Sequence, residues 1–307
     1  MEYTRREILK IFGLGGVCLA TVPLLFSYEQ SGKMRTRMIP SSGEPLPIVG
    51  LGTWQTFDVG RDQGALEVRK QVLLAMKKSG GRVIDSSPMY GSSEEVVGDL
   101  TSILGIRKDF FYATKVWTSG KEAGIAQMNS SFHKMRRTSM DLMQIHNLVD
   151  WKIHVKTLRE WKEQGKIRYW GITHYIDSAH GTLEKIIAAE HPDFVQFNYS
   201  IRSLNAERSL FDTCGKNKTA VIINQPFESG SLFRTVKGKP LPDWCEAYDI
   251  NSWAQYFLKF ILSNEAVTCV IPGTSKPQHM ADNMMAGYGN LPDAGGREKM
   301  LHYLKSL

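Results

Sequence analysis

Metal and disulfide chemistry have little to work with in this chain, which carries four cysteines, Cys18, Cys214, Cys245 and Cys269, in 307 residues. None stands in a C-x-x-C pair and no histidine partners them at zinc-ligand spacing. Neither a metal site nor a disulfide framework is expected, and buried small hydrophobes are the simpler reading. The phosphate-loop lysine pattern is missing as well. Gly13, Gly15 and Gly16 do not make a dinucleotide fingerprint: no strand precedes them, Cys18 stands where the third glycine belongs, and no ribose-binding acid follows in a strand–helix–strand unit. A basic stripe interleaved with aromatics is also lacking. The formal charge is +7, yet Lys70, Lys77, Lys78 and residues 134–137 fall in helical stretches as solvated faces, so nucleic acid is not an expected partner.

No uncharged apolar run reaches the ~20 residues of a membrane span. The nearest, residues 11–26, is loosened by Gly13, Gly15, Gly16 and Pro23. It follows Thr4-Arg5-Arg6-Glu7-Ile8-Leu9-Lys10, and paired arginines ahead of a weak hydrophobic segment resemble a twin-arginine export signal. On that reading residues 1–33 address the export machinery and residues 34–307 are the exported, periplasmic domain. An A-x-A cleavage site is absent, and Val17 before Cys18 does not fit a lipoprotein. Left uncleaved, residues 11–26 would anchor the protein to the membrane; a helix packed under the domain is the structural alternative.

What the chain does contain is alternation. Strand-like runs at 48–52, 82–86, 111–116, 142–147, 169–174, 194–199, 220–225 and 268–273 are separated by segments of helical apolar spacing, such as Val68, Val72, Leu73 and Met76. Gly80-Gly81 and Gly165 stand where helices should stop, and Asp177-Ser178 where one should start. Eight such units in one direction predict an α/β fold, a closed (β/α)8 TIM barrel without a Rossmann domain, a size that ~250 residues accommodate as one domain. Residues 35–47, turning at Ser42-Gly43, predict an N-terminal β-hairpin that closes the barrel bottom. Residues 291–307 read as a C-terminal helix.

Five short segments carry the chemistry: Gly50-Leu51-Gly52-Thr53-Trp54, Val83-Ile84-Asp85-Ser86-Ser87-Pro88-Met89-Tyr90-Gly91, Ala113-Thr114-Lys115, Gln144-Ile145-His146 and Val270-Ile271-Pro272-Gly273-Thr274. They put Asp85, Tyr90, Lys115 and His146 at or just past strand ends, where a parallel barrel converges its loops on one site. In this order the motifs resemble the aldo/keto reductase superfamily over residues 34–286. The resemblance implies a catalytic tetrad of Asp85, Tyr90, Lys115 and His146 and reduction of an aldehyde or ketone by NAD(P)H.

That chemistry needs these residue types. Hydride addition to a carbonyl builds negative charge on oxygen, so the site must supply a proton and aimed hydrogen-bond donors. Tyr90 would give the proton, Lys115 would favour its phenolate, Asp85 would hold Lys115, and His146 would orient the carbonyl. Trp54, Trp117 and Asn147 are expected at the substrate pocket, with core packing the alternative for each tryptophan. The resemblance further implies cofactor contacts from Gly52, Thr53, Trp54, Thr173, His174 and Gln196. It implies others from Asn224, Gln225 and Phe227 after the seventh strand, and from Gly273, Thr274, Lys276, His279, Asp282 and Asn283 after the eighth.

The pattern departs from the family at several of these positions. Thr173-His174 replaces a Ser-Asn pair, Asn224-Gln225 removes the tyrosine on which nicotinamide stacks, and Gly273 and His279 replace the Lys and Arg of the 2′-phosphate grip. NADPH is the expected cofactor, with NADH the alternative, and Lys276 at a helix N-terminus could restore the grip. Two other readings stand beside this one: a nucleotide-binding regulatory module with little turnover, and a barrel lyase or isomerase using Lys115 as a Schiff base.

Overall fold

Strand after strand in the chain is apolar on both faces, as a parallel sheet covered by helices requires. The computed structural model describes residues 32–307. The paired arginines, the apolar run at 11–26 and Cys18 lie outside the described residues. A two-stranded antiparallel hairpin comes first, β1 (Thr36–Met38) and β2 (Pro45–Pro47). Eight parallel strands follow: β3 (Leu51–Gly52), β4 (Val83–Asp85), β5 (Phe111–Val116), β6 (Met140–His146), β7 (Ile167–Thr173), β8 (Phe194–Asn198), β9 (Ala220–Asn224) and β10 (Cys269–Val270). They pair in sequence order, and the bridges Val49–Val270 and Gly52–Gly273 join the first strand to the last. This is the (β/α)8 barrel.

Two apolar layers hold it. Side chains alternate along each strand, so Val83, Phe111, Ala113, Leu142, Tyr169, Phe194, Ala220, Ile222 and Cys269 gather in one buried cluster inside the barrel. Ile39 and Leu46 of the hairpin join that cluster and close its N-terminal end. The residues of opposite parity, Ile84, Tyr112, Ile145, Trp170, Val195 and Val221 among them, pack in the larger cluster under the helices. Arg37 of the hairpin donates to the carbonyls of Asn264 at 2.8 Å and Leu262 at 2.5 Å, capping the end of helix Trp253–Leu262. Cys214, Cys245 and Cys269 are buried free thiols in these layers.

The helix stops fall where expected, with Gly80 (φ 71°) and Gly165 (φ 70°) each one residue past a helix C-cap, in the left-handed conformation that glycine reaches without strain. Helix Ala294–Lys305 forms the expected tail. Two local expectations need correction. Asp177-Ser178 does not cap a helix directly: residues Asp177–Ala179 form a 3₁₀ turn ahead of helix His180–Glu190, and the Asp177 carboxylate accepts from Asn198 and Ser203 instead. The strands at the seam are shorter than 48–52 and 268–273, because Pro272 has no N–H to give the ladder. Among the described residues no helix is long and apolar enough to cross a membrane.

Candidate active site

The alternation that fills the barrel interior also builds the site. Continuing the inward parity toward the C-terminal end of each strand leads from Val83 to Asp85, from Phe111 to Lys115, from Leu142 to Gln144 and His146, from Tyr169 to Thr173, from Phe194 to Gln196 and from Ala220 to Asn224. The lower positions are apolar and the upper ones polar. One parity thus serves both core and chemistry.

Asp85 and Lys115 form an ion pair of 2.6 Å, and both side chains are almost wholly withdrawn from solvent. Lys115 Nζ also donates to the Ser86 carbonyl at 2.6 Å. The other Asp85 oxygen accepts from Gln144 Nε2 at 3.0 Å and Gln196 Nε2 at 2.9 Å. Burial works against the ammonium, but the charge of Asp85 outweighs it and the Lys115 pKa is raised above its ordinary value. Lys115 is therefore held charged, whereas a Schiff-base lysine must be neutral to attack. Gly171 makes room for this network: a Cβ there would stand 2.7 Å from the Phe194 carbonyl oxygen and 3.3 Å from Gln144 Cγ.

Tyr90 and His146 stand above the ion pair. Lys115 Nζ lies 5.1 Å from the centre of the Tyr90 ring, and Tyr90 meets the His146 ring edge-on at 5.8 Å. His146 is buried, and burial, with the charges of Lys115 and His174, pushes its pKa down to about 2. It is a neutral imidazole across the physiological range. From sequence, Lys115 is expected to favour the Tyr90 phenolate. Its charge does pull that way, but burial of the phenol is the larger effect and the Tyr90 pKa is raised. In this state of the site Tyr90 holds its proton.

Trp117 flanks His146 at 6.4 Å, its backbone clamped by Gln127, whose Oε1 accepts from Trp117 N at 2.5 Å and whose Nε2 donates to Trp117 O at 3.2 Å. Neither Trp54 nor Trp117 is a core residue, at 46% and 41% exposed. Met89, Tyr175 and Ile176 are exposed too, and all five lie in the loops within four residues after a strand's C-terminal end. Together they give the mouth an apolar rim. Asn147 adopts φ 52° just past β6, and its Oδ1 is buried without a partner among the described residues.

The expected cofactor residues divide. Gly52 pairs with Gly273 at the barrel seam. Thr53 is buried and donates to the Asp85 carbonyl at 3.0 Å. Gln196 is already engaged at both ends of its amide, donating to Asp85 and accepting from Thr173 Oγ1 at 3.3 Å and Asn224 Nδ2 at 3.4 Å. His174 Nδ1 accepts from Tyr175 N at 3.0 Å, so in the neutral ring the proton sits on Nε2. Asn224 Oδ1 is buried and without a partner among the described residues, the kind of acceptor that a carboxamide N–H would satisfy.

Gln225 takes a left-handed φ of 50°. Phe227 packs against Phe233 at 4.8 Å and Phe257 at 6.5 Å, which answers for its packing. Thr274 is buried, its Oγ1 accepting from Lys276 N at 3.2 Å, while Lys276 and His279 are exposed at the start of helix Pro277–Met285. Asn283 is buried. Asp282 accepts from Ser252 Oγ at 2.7 Å and Gln255 Nε2 at 2.6 Å, an internal brace on the first turn of helix Trp253–Leu262.

Two residues of the site stand outside the candidates named from sequence, Gln144 and Ser87, the latter 2.9 Å from His146 Nδ1. Gln144 precedes His146 by two positions on one strand, and that spacing puts both on one face. Among the described residues no group of three or more His, Cys, Asp or Glu side chains is placed to hold a metal ion.

The model of the aldo/keto reductase family matches residues 48–294. An aldo-keto reductase of Mycolicibacterium smegmatis is 27% identical over 152 residues, 46% of this chain and 51% of the relative, so the match spans about half of that protein's length. The NADH-specific methylglyoxal reductase of Escherichia coli is 24% identical over 305 residues, 81% of this chain and 92% of the relative. Among solved structures, an aldo-keto reductase from Klebsiella pneumoniae in complex with NADPH superposes with a TM-score of 0.73 at 23% identity, covering 89% of this chain and 95% of that one. With the family model spanning most of its length and the barrel in place, the chain belongs to the aldo/keto reductase family.

Proposed function

We propose that this chain is an NAD(P)H-dependent oxidoreductase that reduces aldehydes or ketones to alcohols, with Tyr90 as proton donor. The observation that carries the reading is the buried Asp85–Lys115 pair directly beneath Tyr90 and His146. When bound, the nicotinamide supplies hydride to the carbonyl carbon. His146, neutral, donates a hydrogen bond to the carbonyl oxygen, and Tyr90 gives that oxygen its proton. Lys115 stabilises the phenolate that remains, and Asp85 with its two amide donors keeps Lys115 charged and in place. His174 Nε2–H and Asn224 Oδ1, without partners among the described residues, are a donor and an acceptor suited to a carboxamide.

The apolar rim of Trp54, Met89, Trp117, Tyr175 and Ile176 suits a carbonyl compound with an apolar or aromatic body. The test is oxidation of NADPH, and separately NADH, by purified protein supplied with an aromatic aldehyde and with a small aliphatic one. Turnover, faster with the aromatic aldehyde, is the expected result; no oxidation with either aldehyde and either nucleotide refutes the reading.

Cofactor preference turns on the start of helix Pro277–Met285, where Lys276 and His279 are exposed. The His279→Arg variant should bind NADPH more tightly and leave NADH unchanged, because a guanidinium forks onto a phosphate that only NADPH carries. Titration of nucleotide fluorescence measures both; equal changes would remove His279 from the 2′-phosphate.

Export before use is part of the same proposal, resting on Arg5-Arg6 and the weak apolar run that follows. The Arg5→Lys/Arg6→Lys variant keeps the charge and should leave an active protein in the cytoplasm. Cell fractionation that finds the parent protein already there, with its N-terminal segment intact, contradicts export.

A further inference from the structure

His146 is useful to a carbonyl only if the ring nitrogen facing the substrate carries the proton. Ser87 bears on which one does. It is fully buried, two residues past the end of β4, and its hydroxyl lies 2.9 Å from His146 Nδ1. The same oxygen accepts the backbone N–H of Met89 at 3.4 Å.

A hydroxyl has one proton to give. With Met89 N–H donating to the oxygen, the acceptor in reach of that proton is His146 Nδ1. The reverse arrangement, Nδ1–H donating to Ser87, strands the buried hydroxyl proton, and an unmet buried donor costs more than a made bond returns. A neutral imidazole has a single N–H, so with Nδ1 accepting, the proton sits on Nε2. That nitrogen has no protein partner among the described residues, and its ring stands between Tyr90 and Trp117 at the mouth.

The geometry points to Ser87 as a positioning residue that holds His146 in its Nε2–H tautomer, so that the ring offers a donor rather than a lone pair to the carbonyl oxygen. The tautomer is a property of the protein. Only its consequence for rate rests on the proposed carbonyl reduction. In the other tautomer, lone pair would face lone pair at the developing oxyanion, where a donor is needed.

The experiment is a long-range proton–nitrogen correlation spectrum of full-length protein labelled with ¹⁵N at histidine, recorded with and without NADP. The chain has eight histidines, so the His146 signals are identified by their loss in His146→Asn. A bare Nδ1 and a protonated Nε2 at neutral pH are the expected result. In Ser87→Ala the spectrum should shift toward mixed tautomers and kcat should fall roughly 3- to 10-fold, the worth of one neutral hydrogen bond, with nucleotide affinity unchanged. Ser87→Thr, which keeps the hydroxyl, should restore the parent pattern.

A protonated Nδ1 in the parent overturns the assignment outright, whether or not either variant folds. So does a Ser87→Ala protein with parental tautomer and parental kcat. If the tautomer is as stated and no carbonyl compound is turned over, the assignment stands and the proposed function fails.

Discussion

Removing one oxygen atom from Tyr90 should lower turnover at least ~100-fold, since general acid catalysis contributes ~10²–10⁴. Tyr90→Phe keeps the ring that packs edge-on against His146, so nucleotide affinity and the melting temperature should stay near the parent values. The pH profile carries the same information with its sign fixed. A proton donor must be protonated, and burial raises Tyr90 from its ordinary value of 10.0. The rate of reduction should therefore be flat through neutral pH and fall only on the alkaline side. His146, depressed to about 2, contributes no limb near 6.5. Steady-state kinetics across pH on parent and variant measure both effects; an unchanged rate in the variant would take Tyr90 out of the mechanism.

Lys115→Met should be costly in two separable ways. It strands Asp85 in a dry interior, and breaking a buried pair by removing one partner costs about 3–5 kcal/mol. It also deletes the charge beneath Tyr90, so turnover should be lost as well. The double variant Lys115→Met/Asp85→Leu removes the orphaned charge and should recover part of the stability while remaining inactive. Only part returns, because Gln144 and Gln196 lose the acceptor they share. Urea denaturation gives the stability and the NADPH assay the activity. The linkage has a definite direction: the Lys115 pKa is raised above its ordinary 10.5, so its contribution is fully present below that pH and lost only above it. A fully stable single variant would mean that the pair is not the keystone of the site.

The barrel was legible because parallel strands buried on both faces read as short apolar runs between helical segments, and the run at 111–116 coincides with β5. The seam strands were less so, since the effect of Pro272 depends on a neighbour more than two hundred residues away in the chain. Asp85, Lys115 and His146 announce themselves as charged or polar groups at strand ends, where packing alone would favour apolar ones, and Tyr90 stands in the turn that follows the first of them. Gln144 and Ser87 do not. An amide and a hydroxyl take their meaning from partners 59 positions away, Asp85 and His146, which only barrel closure supplies. Asp282 illustrates the converse: its position suggests a ligand, and the fold engages both oxygens in bracing a neighbouring helix.

Transfer of a labelled hydride tests the central claim most directly. Purified protein would be incubated with nicotinamide nucleotide deuterated at the reactive face of its reduced ring, together with an aromatic aldehyde, and the alcohol examined by mass spectrometry and proton NMR. One deuterium is expected on the carbinol carbon in the parent, and next to no alcohol from Tyr90→Phe. Alcohol formed without deuterium on that carbon from nucleotide deuterated at either ring face, each assayed in turn, would contradict hydride transfer at this site.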